Sequence, residues 1–128
     1  MTLIEHGQFT LHSGRHSDYR IDCRALSDDD IESLASMVAR RFRFRSVHSI
    51  PRGGDRLGRA LEKYALPDDH NAWDVLLVDD VMTTGISMNT ARADLEAYGY
   101  SVIGVVIFGR ACGVDPDWIN PIFHTEWF

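Results

Sequence analysis

An unbroken apolar run at residues 75–78 and a largely apolar stretch at 101–108 stand out along the chain against stretches of helical periodicity. Continuous apolar runs bounded by polar residues predict strands buried on both faces. Between them, residues 86–98 carry helix spacing and stop at Gly99, a residue suited to closing a helix. Upstream, Ile31, Leu34, Met37, Val38 and Phe42 recur at helical intervals, so residues 28–42 predict a helix that buries that stripe. Ser27 is placed to cap it, and Asp28, Asp29 and Asp30 put carboxylates at the positive end of the helix dipole. That aspartate run reads as a helix start rather than a metal site.

Shorter signals fill the gaps. Residues 8–11 and 19–22 read as short strands around a turn at Ser13-Gly14. Residues 46–50 predict a strand, Pro51-Arg52-Gly53-Gly54 a sharp turn, and residues 55–64 a helix with Leu57 and Leu61 inward. Residues 68–72 form a polar linker. Strand and helix in alternation predict an α/β fold with a parallel sheet and right-handed crossovers. Ligands on such sheets sit beyond the carboxyl ends of the strands.

At 128 residues and 45% apolar content the chain suits one globular domain. Its formal charge of -6 argues against broad nucleic-acid or anionic-membrane binding, while leaving room for a local basic pocket. Lys63 is the one lysine among 13 basic residues. Arginine is the better fork for phosphate and carboxylate, but a GC-rich coding sequence accounts for most of them. Cys23 and Cys112 form no CxxC pair, and residues 1–9 lack the pattern of a secretory leader. No apolar stretch reaches membrane-spanning length. A cytoplasmic location is the expectation. His12 and His16 flank a Ser-Gly turn rather than sharing a helix face, so no zinc site is expected there, and both cysteines read as buried thiols.

The chemistry concentrates in residues 75–87, where an apolar strand leads to Asp79 and Asp80, then Val81-Met82-Thr83-Thr84-Gly85-Ile86-Ser87 and a helix start. Carboxylates at a sheet edge can accept hydrogen bonds from two ribose hydroxyls. Gly85 permits close approach, and Thr83, Thr84 and Ser87 add hydroxyl donors. The helix N-terminus contributes partial positive charge, completing a phosphate cradle. No Gly-Lys-Ser/Thr ends the loop, so it is not a nucleotide-triphosphate P-loop.

This segment resembles the PRPP-binding signature of the type I phosphoribosyltransferases. The resemblance implies a Rossmann-like core with a small N-terminal hood: residues 1–24 as hood, 25–110 as core and 111–128 as a C-terminal tail. By match, Asp79 and Asp80 take the ribose, and Thr83, Thr84, Gly85, Ile86 and Ser87 take its 5-phosphate. Ser49-Ile50-Pro51-Arg52-Gly53-Gly54 resembles the family's pyrophosphate loop, with Arg52 as a phosphate fork beside Gly53 and Gly54. The stretch Gly7-Gln8-Phe9-Thr10-Leu11-His12-Ser13-Gly14-Arg15-His16-Ser17-Asp18-Tyr19 resembles the hood of orotate phosphoribosyltransferases, which adds His12, Ser13 and Tyr19 to the substrate site. Arg110 stands where that subfamily meets the orotate carboxylate.

The match has gaps. His12 replaces a usual lysine, and Gly109 an expected acid. The family's long loop, which carries basic catalytic residues over the diphosphate, shrinks here to a connection in which Lys63 and His70 are the cationic candidates. Cover would then come from the tail, with Trp118, Phe123, Trp127 and Phe128, or from a partner subunit. The implied function is transfer of phosphoribosyl from PRPP to orotate or a related pyrimidine, with Asp79, Asp80 and Arg52 closest to the chemistry. Mg²⁺ is the implied cofactor, held mainly by PRPP and near Asp79 rather than in a protein cage. PRPP, a small base and a second copy of the chain are the implied partners. Two other readings remain open: a PRPP- or nucleotide-binding regulator without turnover, and a purine-type transferase.

Overall fold

Helix α1 (Asp28–Arg41) starts with a capping box: the Asp30 N–H donates to the Ser27 hydroxyl at 3.0 Å, and the Ser27 N–H to the Asp30 carboxylate at 2.8 Å. The computed structural model in which this is seen describes residues 1–11, 14, 16–109 and 117–125. The buried face of α1 is Ile31, Leu34, Ala35 and Val38. Met37, expected in that stripe, is instead 52% exposed. At 100° per residue it falls about 120° away from Ile31, off the face that Leu34 and Val38 share. Phe42 caps the helix and packs, partly buried, on the same core.

The other elements follow in chain order. Strands β1 (Ile4–Thr10) and β2 (His16–Ile21) form an antiparallel hairpin, with Gly14 in its turn at φ 83°. A 3-10 turn, Cys23–Ala25, leads from the hairpin to α1. Then come β3 (Val47–Ser49), α2 (Asp55–Leu61) continued by a 3-10 turn at Glu62–Tyr64, β4 (Val75–Met82), α3 (Ile86–Ala97), β5 (Val102–Gly109) and β6 (Ile119–His124). The sheet runs β3-β4-β5-β6, parallel throughout. Alternation along β4 divides the core. Leu76 and Val78 meet Leu34, Leu57 and Leu61 on the α1/α2 side, whereas Val75 and Leu77 meet Met88 on the α3 side.

Strand β4 outruns the apolar signal. It continues through Asp79, Asp80 and Val81 because β5 goes on pairing beside it, Asp79 with Val106 and Met82 with Gly109. The acid pair therefore lies within a strand, not after one. The stretch expected to be a plain tail also contributes β6. Its Pro121 is tolerated on an edge strand, and Gly104 and Gly109 of β5 make room for it. A Cβ on Gly109 would stand 2.7 Å from Pro121, and one on Gly104 2.7 Å from Trp118. Phe123 stacks near Phe108 with ring centres 5.4 Å apart.

Residues 65–74 run along the sheet edge where β3 and β4 begin. The Leu66 N–H donates to Phe44 O at 2.8 Å and the Trp73 N–H to Arg43 O at 3.0 Å, while Arg45 Nε reaches Pro67 O at 2.9 Å. Arg43 also pairs with Asp69. At roughly 3.3 Å per residue, the length of β4 separates this edge from the carboxyl edge by about 23 Å.

Candidate active site

Two loops meet at the carboxyl edge of the sheet. The first follows β3. The Ile50 N–H donates to Val78 O at 2.8 Å and the Gly54 N–H to Ile50 O at 2.9 Å, folding residues 50–54 tightly against β4. The Pro51–Arg52 peptide is cis. The closeness explains both glycines: a Cβ on Gly53 would collide with the Asp80 carboxylate, and one on Gly54 with the Val78 carbonyl oxygen. Among the described residues, the N–H groups of Arg52 and Gly53 have no acceptor, and the Arg52 guanidinium has no ion-pair partner.

The second loop follows β4. Gly85 takes φ 80°, ψ 4° at the start of α3, a left-handed conformation that favours glycine. No side chain caps the helix there. The N–H groups of Thr84, Gly85, Ser87 and Met88 find no acceptor among the described residues, and that of Ile86 makes only a 3.4 Å contact with Thr84 Oγ1. An uncapped helix start with several unspent amides is a receptor for a phosphate.

Asp79 and Asp80 lie between these loops. Each carboxylate accepts the N–H of the following residue, Asp80 at 2.8 Å and Val81 at 2.7 Å respectively. Burial, reinforced by the neighbouring Asp80 carboxyl, pushes Asp79 up to about 7 against the opposing pull of the Asp80 N–H. Two half-buried carboxyls of this kind suit the hydroxyls of a sugar.

Beside Asp80 opens a cavity of about 300 Å³. Its walls are Ile21 to Arg24 from the hood exit, Arg52 and Gly53 from the first loop, and Arg56 and Leu57 from α2. Ile31 and Ile107 form its floor. Burial, then the nearby Asp80, Asp22 and Asp79 carboxyls, push the Cys23 thiol up to about 12, so it is an inert wall group.

The residues expected from sequence fall into three groups. Arg52, Gly53, Gly54, Asp79, Asp80 and Thr83 to Ser87 converge on this edge. Tyr19 lies in β2 opposite His6, on the strand face it shares with the cavity residue Ile21, but is not itself a wall residue. His12, Ser13 and Arg110 lie outside the described residues, as does Cys112. Arg24 and Arg56 are cavity residues that the sequence motifs did not point to. The cationic candidates of the shortened connection are elsewhere: Lys63 is paired with Glu32, and His70 belongs to the segment at the opposite end of the sheet. No group of three or more His, Cys, Asp or Glu side chains arranged for a metal occurs among the described residues, and no helix is long and apolar enough to cross a membrane.

No family model matches the chain. It is 30% identical to orotate phosphoribosyltransferase of Corynebacterium glutamicum (strain R), over 88% of this chain and 76% of that protein. It is 30% identical to orotate phosphoribosyltransferase of Sphingopyxis alaskensis, over 91% of this chain and 74% of that one. The Corynebacterium alignment runs over 141 residues, more than this chain's full 128, so the relative carries residues inside the matched span that have no counterpart here. Among solved structures, the orotate phosphoribosyltransferase of Aeropyrum pernix superposes with a TM-score of 0.76 at 22% identity, covering 98% of this chain and 89% of the other, a likeness of fold.

Proposed function

This chain belongs to the orotate phosphoribosyltransferase family, and we propose that it transfers the phosphoribosyl group of PRPP to orotate, releasing pyrophosphate. One observation carries the residue-level reading: two loops with backbone N–H groups that have no acceptor among the described residues lie beside Asp79 and Asp80. In that reading, Thr83 to Ser87 and the start of α3 hold the 5-phosphate, and the acid pair accepts from the ribose hydroxyls. Arg52, with the N–H groups of Arg52 and Gly53, takes the diphosphate. Relatives of this kind favour neither a purine-type transferase nor a regulator without turnover.

The chemistry needs no covalent nucleophile. A ring nitrogen of the base attacks the anomeric carbon as the carbon–diphosphate bond breaks, and the bonding electrons leave with the diphosphate. Positive charge grows on the ribose ring, where the acid pair is close, and negative charge grows on the leaving group, where Arg52 and the loop amides are close. Two half-buried carboxylates, with no third acid grouped with them among the described residues, fit a hard divalent cation that keeps most of its ligands from substrate and water. Asp79 and Asp80 are the residues that would touch Mg²⁺. When bound, it neutralises diphosphate charge. A second copy of the chain is the protein partner in this reading.

The test is PRPP-dependent loss of orotate absorbance by the purified protein with Mg²⁺, run beside calorimetric binding of PRPP. Orotate should be consumed as pyrophosphate appears. Tight PRPP binding with no consumption of orotate or any other base would overturn the enzyme reading.

A further inference from the structure

The connection that could have covered the diphosphate is tied down at the wrong end of the sheet, yet the cavity beside Asp80 is not short of cations. Three arginines reach it from three separate elements: Arg24 from the hood exit, Arg52 from the loop after β3, and Arg56 from α2. Arg56 is committed to structure. Its Nη2 donates to Leu26 O at 2.9 Å and to Asp28 Oδ1 at 3.0 Å, and its Nη1 to Cys23 O at 3.4 Å. These bonds fasten the hood exit to the helix that follows the Arg52 loop, and so fix the width of the cavity.

Arg24 is held differently. Its Nε and Nη2 fork onto the two oxygens of Asp22 at 2.9 and 2.8 Å, and Nη1 has no partner among the described residues. The Asp22 side chain is only 10% exposed whereas that of Arg24 is 77% exposed. The acid is therefore a sunken anchor and the guanidinium an oriented head at the rim. A guanidinium whose rotamer is already fixed loses less entropy when it meets an anion than a free one does.

We propose that Arg24 is a diphosphate-binding residue, sharing the cavity with Arg52 and supplying from the hood exit the positive charge that a mobile lid would bring. The assignment rests on the reading of the acid pair and its two loops as a PRPP site. Asp22 positions the guanidinium; Arg24's own fork holds that carboxyl down at about 2, so the anchor stays ionised across any working pH.

The experiment is calorimetric titration of wild type, Arg24→Ala and Arg24→Lys with three ligands: Mg-PRPP, Mg-pyrophosphate and ribose 5-phosphate. Arg24→Ala should weaken PRPP and pyrophosphate by about tenfold or more, the usual worth of a charge-assisted hydrogen bond. Ribose 5-phosphate, which has no diphosphate, should bind as before, and Arg24→Lys should recover part of the loss. Asp22→Asn combined with Arg24→Ala removes the acid that the single variant leaves unpaired, and should show the same ligand pattern with a melting curve near wild type. Equal weakening of all three ligands would make Arg24 a residue that merely shapes the pocket, and unchanged PRPP affinity would remove it from the site. Either result overturns the proposal while leaving the PRPP site in place. Failure of the wild-type chain to bind either ribose 5-phosphate or PRPP would instead bring down the underlying reading, and this proposal with it.

Discussion

Replacing Gly53 and Gly54 by alanine, one at a time, should separate binding from stability at adjacent positions. Gly54 has φ -80° and ψ -10°, a conformation open to any residue, so alanine meets no backbone penalty there. The obstacle is steric. The new Cβ would press on the Val78 carbonyl oxygen and stand 3.0 Å from that of Ile50, and neither main-chain atom can rotate away. Forcing one methyl into such a contact costs about 1–3 kcal/mol, a drop of several degrees in melting temperature for a domain of this size. At Gly53 the Cβ would stand 2.5 Å from Asp80 Cγ. That carboxylate can swing aside for about 1 kcal/mol, the worth of its 2.7 Å bond to the Val81 N–H. Swinging aside removes it from the ribose. Losing charge-assisted hydrogen bonds worth about 1.5–3 kcal/mol should weaken ribose 5-phosphate by roughly 10- to 100-fold. Thermal melting and calorimetry on both variants read the contrast: Gly54→Ala the less stable, Gly53→Ala the greater loser of affinity relative to its stability. Undiminished affinity in Gly53→Ala would mean that Asp80 does not hold the sugar.

Two further predictions follow from the same geometry. Ser87→Asp places a carboxylate in the uncapped first turn of α3, which should stabilise the helix by about 0.3–1 kcal/mol while repelling the 5-phosphate; a higher melting temperature with ribose 5-phosphate affinity intact would displace the phosphate from that helix. Asp22 and Asp79 should leave opposite marks on stability against pH, read by urea unfolding. The folded-state value of Asp22 lies near 2, below its unfolded value, so its contribution is present above about pH 4 and lost as pH falls toward 2. Exposure of Arg24 limits that contribution to about 1 kcal/mol, and Asp22→Asn should flatten the loss. Burial holds Asp79 near 7, so the folded chain keeps a proton that the unfolded chain has released, and stability from this group declines as pH rises from about 4 through 7. Asp79→Asn should remove that decline, and parallel profiles for variant and wild type would show that Asp79 is not displaced.

Local signals were the legible part of the sequence. The cap of α1, the start of α3 after Gly85 and the buried runs of β4 and β5 each depend on residues adjacent in the chain, and each formed as the pattern predicts. Partner-dependent features were not legible. Asp79 and Asp80 look like the end of a strand until β5 is seen pairing past them. Strand β6 carries a proline and mixed polarity, and it is a strand because β5 pairs beside it, with Gly104 and Gly109 leaving room for Trp118 and Pro121. Arg56 reads as an ordinary exposed helix residue, since the carbonyls it binds lie about 30 positions away. Arg24 had a usable signal: an acid two residues before an arginine at a strand's end can form a side-chain fork. Its place in the cavity depended on the hood's angle, which no local pattern encodes.

The shortened connection has a structural consequence beyond its length. A lid anchored beside the carboxyl edge can fold over a ligand there, but a connection hydrogen-bonded to Phe44, Arg43 and Arg45 cannot travel the length of β4 to do so. Residues 65–74 are thus consumed in joining α2 to β4 around the start of the sheet, with Lys63 held by Glu32 on the way. In the proposed reading, the charge that the described residues offer to the diphosphate comes from groups already at that edge. Arg52 and Arg24, the latter held by Asp22, both line the cavity there. Such an arrangement gives up the water exclusion of a closing lid. In exchange, in that reading this connection need not be ordered before the leaving group is met, so binding of the diphosphate avoids the entropy cost of closing a loop here.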